Sequence, residues 1–315
     1  MTDRPAHKPV LLDEVVQMLD PRAGETVVDC TAGLGGHASA LAERIGPTGT
    51  LALNDLDAGN LARAAVRVRA LPNSPKVVEL RGNYADVPRR LRELGLAAHV
   101  VLADLGFSSN QVEDASRGLS FGREGPLDMR LDPTGPTTAA HLVNSLPEAE
   151  LAELIQEFGE ERHARRIARK LVAEREVSPI ETTARLASIL RTVVGFGQGI
   201  DPSTRTFQAL RIAVNDELGS LRSLLESIAR SVAAGSGGVG KPGSWLAPGA
   251  RVGIISFHSL EDRPVKNAFS ELVRRGLAEP LSKKPVTAGD AELADNPRAR
   301  SAKFRAIRAP GSGVV

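Results

Sequence analysis

Apolar runs that end in an acidic side chain recur through the first third of the chain: Thr26-Val27-Val28-Asp29, Leu51-Ala52-Leu53-Asn54-Asp55 and His99-Val100-Val101-Leu102-Ala103-Asp104, with Lys76-Val77-Val78-Glu79-Leu80 before the last. Between them the pattern turns helical, as in the amphipathic stretch 61–68, which stops before Pro72. Short apolar strands alternating with helices specify an α/β fold with a parallel sheet covered on both faces. Ligands of such sheets bind beyond the carboxyl ends of the strands, the edge toward which Asp29, Asp55 and Asp104 project.

The first run breaks into Cys30-Thr31-Ala32-Gly33-Leu34-Gly35-Gly36-His37, and a helical pattern follows from Ala38. Glycines there let backbone N–H groups approach a ligand, and the helix start adds partial positive charge. Gly33 to Ala38 satisfies G-x-G-x-x-G/A, and Asp55 follows about 20 residues on, where an acid accepts ribose hydroxyls. This geometry serves NAD, FAD or S-adenosylmethionine alike, and a turn that only packs a helix on the sheet looks the same.

The strand pattern stops after Asp104: 116–138 is rich in Gly, Pro and charge, and 147–190 is helical. Strand character returns at Arg251-Val252-Gly253-Ile254-Ile255-Ser256-Phe257-His258, after a helical stretch over 207–233. The expected organisation is a discontinuous core, 1–112 with 206–315, and an inserted helical domain, 113–205. In the insert, Arg162, Arg165, Arg166, Arg169 and Lys170 recur at helical spacing opposite Ala164, Ile167, Ala168 and Leu171, which reads as a solvated face or as an RNA-contact stripe. The C-terminal Arg298, Arg300, Lys303, Arg305 and Arg308 fit a strand at the sheet's end with basic residues exposed, either solvated or touching phosphate. The segment 235–244 approaches a phosphate-binding loop, but Pro242 stands where a metal-liganding hydroxyl belongs and no strand precedes it, so a surface loop is expected.

A chain of 315 residues with 42% hydrophobic residues suits one large or two modest domains. The net charge of +2 excludes strong attraction of the whole molecule to nucleic acid, so any basic surface is local. Cys30 is the single cysteine, which excludes an internal disulfide and a cysteine metal cluster. Neither His37 nor His258 has metal-ligand spacing around it, so no metal is expected. His258, followed by Ser259, Glu261, Asp262 and Arg263 at a strand end, reads as a cleft residue or a structural one. No secretory signal opens the chain and no run is long enough to span a bilayer, so cytoplasmic residence is the expectation.

Further motifs run along the chain: His7-Lys8-Pro9-Val10-Leu11-Leu12-Asp13-Glu14-Val15, Asp104-Leu105-Gly106-Phe107-Ser108-Ser109-Asn110-Gln111, Arg117-Gly118-Leu119-Ser120-Phe121 and Gly125-Pro126-Leu127-Asp128-Met129-Arg130. Phe207-Gln208-Ala209-Leu210-Arg211-Ile212-Ala213-Val214-Asn215, Ser256-Phe257-His258-Ser259-Leu260-Glu261-Asp262-Arg263 and Asn296-Pro297-Arg298-Ala299-Arg300-Ser301-Ala302-Lys303 complete them. In this order they closely resemble the RsmH (MraW) family of bacterial small-subunit ribosomal RNA methyltransferases, over nearly the whole chain.

The resemblance implies a class I S-adenosylmethionine-dependent methyltransferase core, Rossmann-like, with an inserted helical domain. It further implies methylation of the exocyclic N4 amine of one cytidine in the P-site region of 16S rRNA, with the small ribosomal subunit as partner. Carried over by motif, the cofactor contacts are Gly35, Gly36, His37, Asp55, Tyr84, Asp104 and Gln111. Asp104 is the first candidate for the acceptor that aligns the amine, with Ser108 and Asn110 as helpers, and RNA contact is assigned to Arg165, Arg169, Arg298 and Arg300. The chain departs from the family at Tyr84, usually Phe, at Leu119, also usually Phe, and in the extra segment 235–244. It also lacks the Asp/Asn/Ser-Pro-Pro-aromatic motif of many amino-methyltransferases. A nicotinamide oxidoreductase sharing the glycine turn and a non-catalytic ribosome-assembly binder are the rival readings.

Overall fold

The computed structural model describes residues 8–195, 199, 201–235 and 244–311. Two compact units divide the chain: Met1–Gly106 with Leu218–Val315, and Phe107–Glu217. The first holds a seven-stranded sheet of β1 (Thr26–Asp29), β2 (Thr50–Asp55), β3 (Lys76–Arg81), β4 (Ala98–Asp104), β5 (Leu246–Ser256), β6 (Glu279–Pro280) and β7 (Lys303–Arg308), in the order β3-β2-β1-β4-β5-β7-β6. The strands β1 to β5 run parallel, and β7 enters antiparallel to both β5 and β6. Strand order reverses between β1 and β4, which opens a crevice at their carboxyl ends.

Strand alternation builds a core on each face of the sheet. Val28, Ala52, Val101, Ala103 and Ile254 join one apolar cluster with the helices Glu217–Ala233 and Ser259–Arg274. Val27, Leu51, Leu53, Val100, Leu102 and Ile255 join the other, with the helices Leu12–Leu19, Gly36–Ile45 and Ala58–Arg69. The buried Arg251 of β5 donates to Leu19 O (2.9 Å), Asp20 O (2.8 Å) and the Glu25 carboxylate (2.6 and 2.9 Å), which pins the end of the N-terminal helix to the sheet.

The second unit is helical. Its helices Ala139–Ser145, Glu148–Gly159, Ala164–Val177, Thr183–Val194 and Thr204–Asn215 enclose Val143, Leu151, Ile155, Ile167, Leu171, Leu186 and Phe207. It reaches beyond the expected 113–205 on both sides. The stretch 207–233 is not one helical region of the core: Asp216 turns left-handed (φ 45°) and ends the helix Thr204–Asn215, whose Phe207 and Leu210 pack into the helical unit. At the other boundary, the Glu113 carbonyl accepts a bond from Arg123 (2.6 Å) and the Arg211 guanidinium lies 4.7 Å over the Phe107 ring.

Two further expectations are corrected. β7 is not the sheet's end, because the two-residue β6 pairs along its outer side. Its basic residues are not simply exposed either, since Arg305 and Lys303 both bind Asp262. Of the segment 235–244, residues 236–243 lie outside the described residues. No helix among the described residues is long and apolar enough to cross a membrane.

Candidate active site

The glycine turn is locked to the tip of β2. Asp55 accepts the Gly33 amide on one carboxylate oxygen and the Asp57 amide on the other, both at 2.8 Å. Its neighbour Asn54, buried, donates to Cys30 O (2.9 Å) and Gly82 O (3.1 Å), so one side chain ties the ends of β1 and β3 to β2. Gly35 adopts φ 79° as it enters the helix Gly36–Ile45, and a Cβ there would come within 2.9 Å of Ala64 Cα. Glycine is required at Gly35 by both the turn and the close approach of the next helix. Tyr84 stands half-buried in the short turn after β3, and Asn83 fixes that turn by accepting the Ala85 amide (2.9 Å) and donating to Ser220 Oγ (2.6 Å).

The tips of β1 and β4 gather ionisable groups in a poorly solvated place. Asp29, almost fully buried, is pushed up to about 7 by burial, reinforced by Asp55 and opposed by the Thr31 amide it accepts at 3.1 Å. Asp104 is raised well above the ordinary carboxylate range, first by burial and then by Asp29 and Glu261. Its backbone N–H donates to Thr31 Oγ1 (2.7 Å), and its Oδ2 lies 3.6 Å from Nδ1 of the buried His37. Its Oδ1 is buried with no hydrogen-bond partner among the described residues. A buried carboxylate oxygen left without a donor is costly unless something else supplies one. The side chain as a whole keeps a quarter of its exposure, so an approach to it exists.

The β5 tip adds His258, whose Nε2 lies 3.3 Å from Glu261 Oε1, while Glu261 Oε2 accepts the Phe257 amide (2.9 Å). Asp262 faces β7 instead: burial pushes its carboxyl up, but the Arg305 and Lys303 cations outweigh this and hold it below the usual range.

The other residues named from sequence are placed differently. Ser108, Asn110 and Gln111 belong to the helical unit and build the cap of the short helix Ser109–Glu113: Ser108 N–H donates to Gln111 Oε1 (3.0 Å) and Ser108 Oγ to Asn110 Oδ1 (2.7 Å). Arg165 and Arg169 are exposed on the helix Ala164–Val177, where Arg169 also lies 3.7 Å from Glu148. Arg298 and Arg300 are exposed on the turn Pro297–Ser301 of the sheet unit. Sequence reading did not single out Thr31, Asn54 or Glu261 for these roles. The position of Thr31 and Asn54 beside strand-end acids was the available signal.

The model of the MraW methylase family matches residues 4–309. The chain belongs to this family. Three relatives, each named Ribosomal RNA small subunit methyltransferase H, illustrate the similarity. The one from Deinococcus radiodurans is 47% identical over 302 residues, covering 95% of this chain and 88% of the relative. Those from Koribacter versatilis and Symbiobacterium thermophilum are 44% and 42% identical, each covering 96% of this chain, with 93% and 96% of the relatives covered. In this methylase, then, Gly35, Gly36, His37, Asp55, Tyr84 and Asp104 lie in the sheet unit on the turns, strand tips and helix start at its carboxyl edge. The fold also fits S-adenosylmethionine physically: the glycine turn leads into a helix start, and the buried Asp104 Oδ1 is short of a donor.

Proposed function

We propose that this methylase transfers a methyl group from S-adenosylmethionine to the exocyclic N4 amine of a cytidine in the P-site region of 16S rRNA, on the small ribosomal subunit and in the cytoplasm. Membership of the family across 4–309 and the names of its relatives support the reaction class and the RNA substrate. The observation that carries the chemistry is the buried, partnerless Oδ1 of Asp104 at the reversal point of the sheet.

S-adenosylmethionine supplies a methyl group on a positively charged sulfur, so the displacement needs no metal to polarise the carbon. The protein has to align the amine and support the positive charge that develops on its nitrogen. Asp104 does both in this reading: its carboxylate, on a side chain that keeps a quarter of its exposure, accepts an amine N–H, and its charge offsets the developing cation. His37 Nδ1 lies 3.6 Å from Oδ2 of the same carboxylate. When the cofactor is bound, Asp55 would take its ribose hydroxyls and Tyr84 would face its adenine. Ser108 and Asn110 shape the loop after Asp104 through their mutual bond. The target base must leave its stack to reach the site. With aromatic residues at 3%, recognition of the RNA rests on phosphate contacts by Arg165, Arg169, Arg298 and Arg300 more than on stacking.

The test is transfer of labelled methyl to small subunits lacking the modification, followed by nucleoside digestion. N4-methylcytidine carrying the label is the expected product. Label on another nucleoside, no transfer, or calorimetric preference for NADH over S-adenosylmethionine would overturn the proposal.

A further inference from the structure

Residues 8–11 meet residues 290–296 beside the glycine turn, through hydrogen bonds between residues 281 and 288 positions apart. Glu292 Oε1, on the helix Asp290–Asp295, accepts the Leu11 N–H at 2.8 Å. The buried Asn296 donates from Nδ2 to the Lys8 carbonyl at 3.2 Å. Between these anchors, residues 8–11 form a strap over the start of the helix Gly36–Ile45. A side chain on Gly36 would collide with the Pro9 ring, and the Val10 carbonyl accepts from His37 Nε2 at 2.9 Å. Leu11 is fully buried in a left-handed conformation (φ 54°), and Arg251 pins the far end of the helix that follows.

A carbonyl can only accept, so the bond to Val10 fixes a proton on His37 Nε2. That choice sets what Nδ1 presents to Asp104 Oδ2, 3.6 Å away. A left-handed leucine in a short turn does not hold its shape unaided; it needs partners outside the segment. Glu292 and Asn296 are those partners.

We propose that Glu292 and Asn296 are positioning residues for the cofactor turn, acting through the strap 8–11 on Gly36 and His37. The proposal rests on the reading of that turn as the S-adenosylmethionine site.

The experiment compares full-length Glu292→Ala, Glu292→Gln and Asn296→Ala with wild type by S-adenosylmethionine calorimetry, steady-state methyl transfer and ¹⁵N NMR of the His37 imidazole. Glu292→Ala is expected to weaken cofactor binding about tenfold, with kcat at saturating cofactor kept within about twofold. It is also expected to move the His37 Nε2 resonance from that of a protonated nitrogen toward the average of the two tautomers. Glu292→Gln keeps an oxygen for the Leu11 N–H and is expected to retain wild-type affinity and resonance, which a loss of fold would not allow. Asn296→Ala is expected to change both readouts in the direction of Glu292→Ala. Unchanged affinity or an unchanged His37 resonance in Glu292→Ala would overturn the proposal, and so would an equal loss in Glu292→Gln. Asp55→Ala separates the two levels. Full cofactor affinity in Asp55→Ala would overturn the reading of the turn itself, whereas weakened Asp55→Ala beside unaffected Glu292→Ala would overturn the strap alone.

Discussion

The sheet unit buries acids at its strand tips, whereas the helical unit holds arginines in water. Asp29 and Asp104 sit where burial and neighbouring carboxylates raise their proton affinity, while Arg165 and Arg169 project from the exposed face of the helix Ala164–Val177. Charges of the first kind are strong because little solvent screens them. Charges of the second kind are screened by water and salt, so each acts weakly and in a salt-dependent way. The contrast assigns chemistry to the strand tips and attraction of RNA to the arginines, and each side of it can be broken separately.

The largest effect belongs to Asp104. Asp104→Ala is expected to lower kcat by roughly 10²–10³-fold, the cost of removing one preorganised group from a developing charge. Rapid-quench methyl transfer measures it, and full turnover would remove Asp104 from the chemistry. Asp55→Ala comes next, with an expected rise of roughly 10–100-fold in the KM for S-adenosylmethionine and a smaller change in kcat, because Asp55 holds the turn and not the reacting atoms.

Asp29→Asn tests burial through stability. The folded-state value of about 7 lies above the ordinary 3.8, so the folded protein binds the extra proton and loses stability as pH rises through that interval. The asparagine keeps an oxygen for the Thr31 amide and carries no charge. Its melting temperature relative to wild type is therefore expected to climb between those two pH values, by several degrees, and to level off above. A constant difference would place no buried charge at Asp29. The smallest effect is that of Arg165→Ala with Arg169→Ala: RNA affinity is expected to fall about three- to tenfold, with the salt slope reduced by about one to two. An unchanged slope would leave this helix face merely solvated.

Much of this division was legible in the chain. Apolar runs ending in Asp29, Asp55 and Asp104 identified the parallel strands, and the glycines between Gly33 and Gly36 marked the turn. Other features were hidden for physical reasons. β5 starts at Leu246, five residues before its apolar run, because Pro248-Gly249 reads as a turn and pairing with β4 shifts register there. β6 is too short to show a period. The break at Asp216 interrupts an otherwise continuous helical pattern, since a left-handed aspartate leaves no signature in hydrophobicity. The approach of His37 to Asp104 follows from β1 and β4 being neighbours in the sheet, and the anchoring of Leu11 by Glu292 follows from tertiary packing that local spacing does not encode.

The role of Asp104 is tested most directly by the pH dependence of single-turnover methyl transfer in wild type and Asp104→Asn. Burial, with Asp29 and Glu261 nearby, keeps the Asp104 proton on until well above the ordinary carboxylate range, and the anion is the form that supports the developing positive charge. The wild-type rate is therefore expected to rise with pH through that elevated value, and Asp104→Asn to be slow and without that limb. The same limb in Asp104→Asn, or a wild-type rate that ignores pH, would contradict the account.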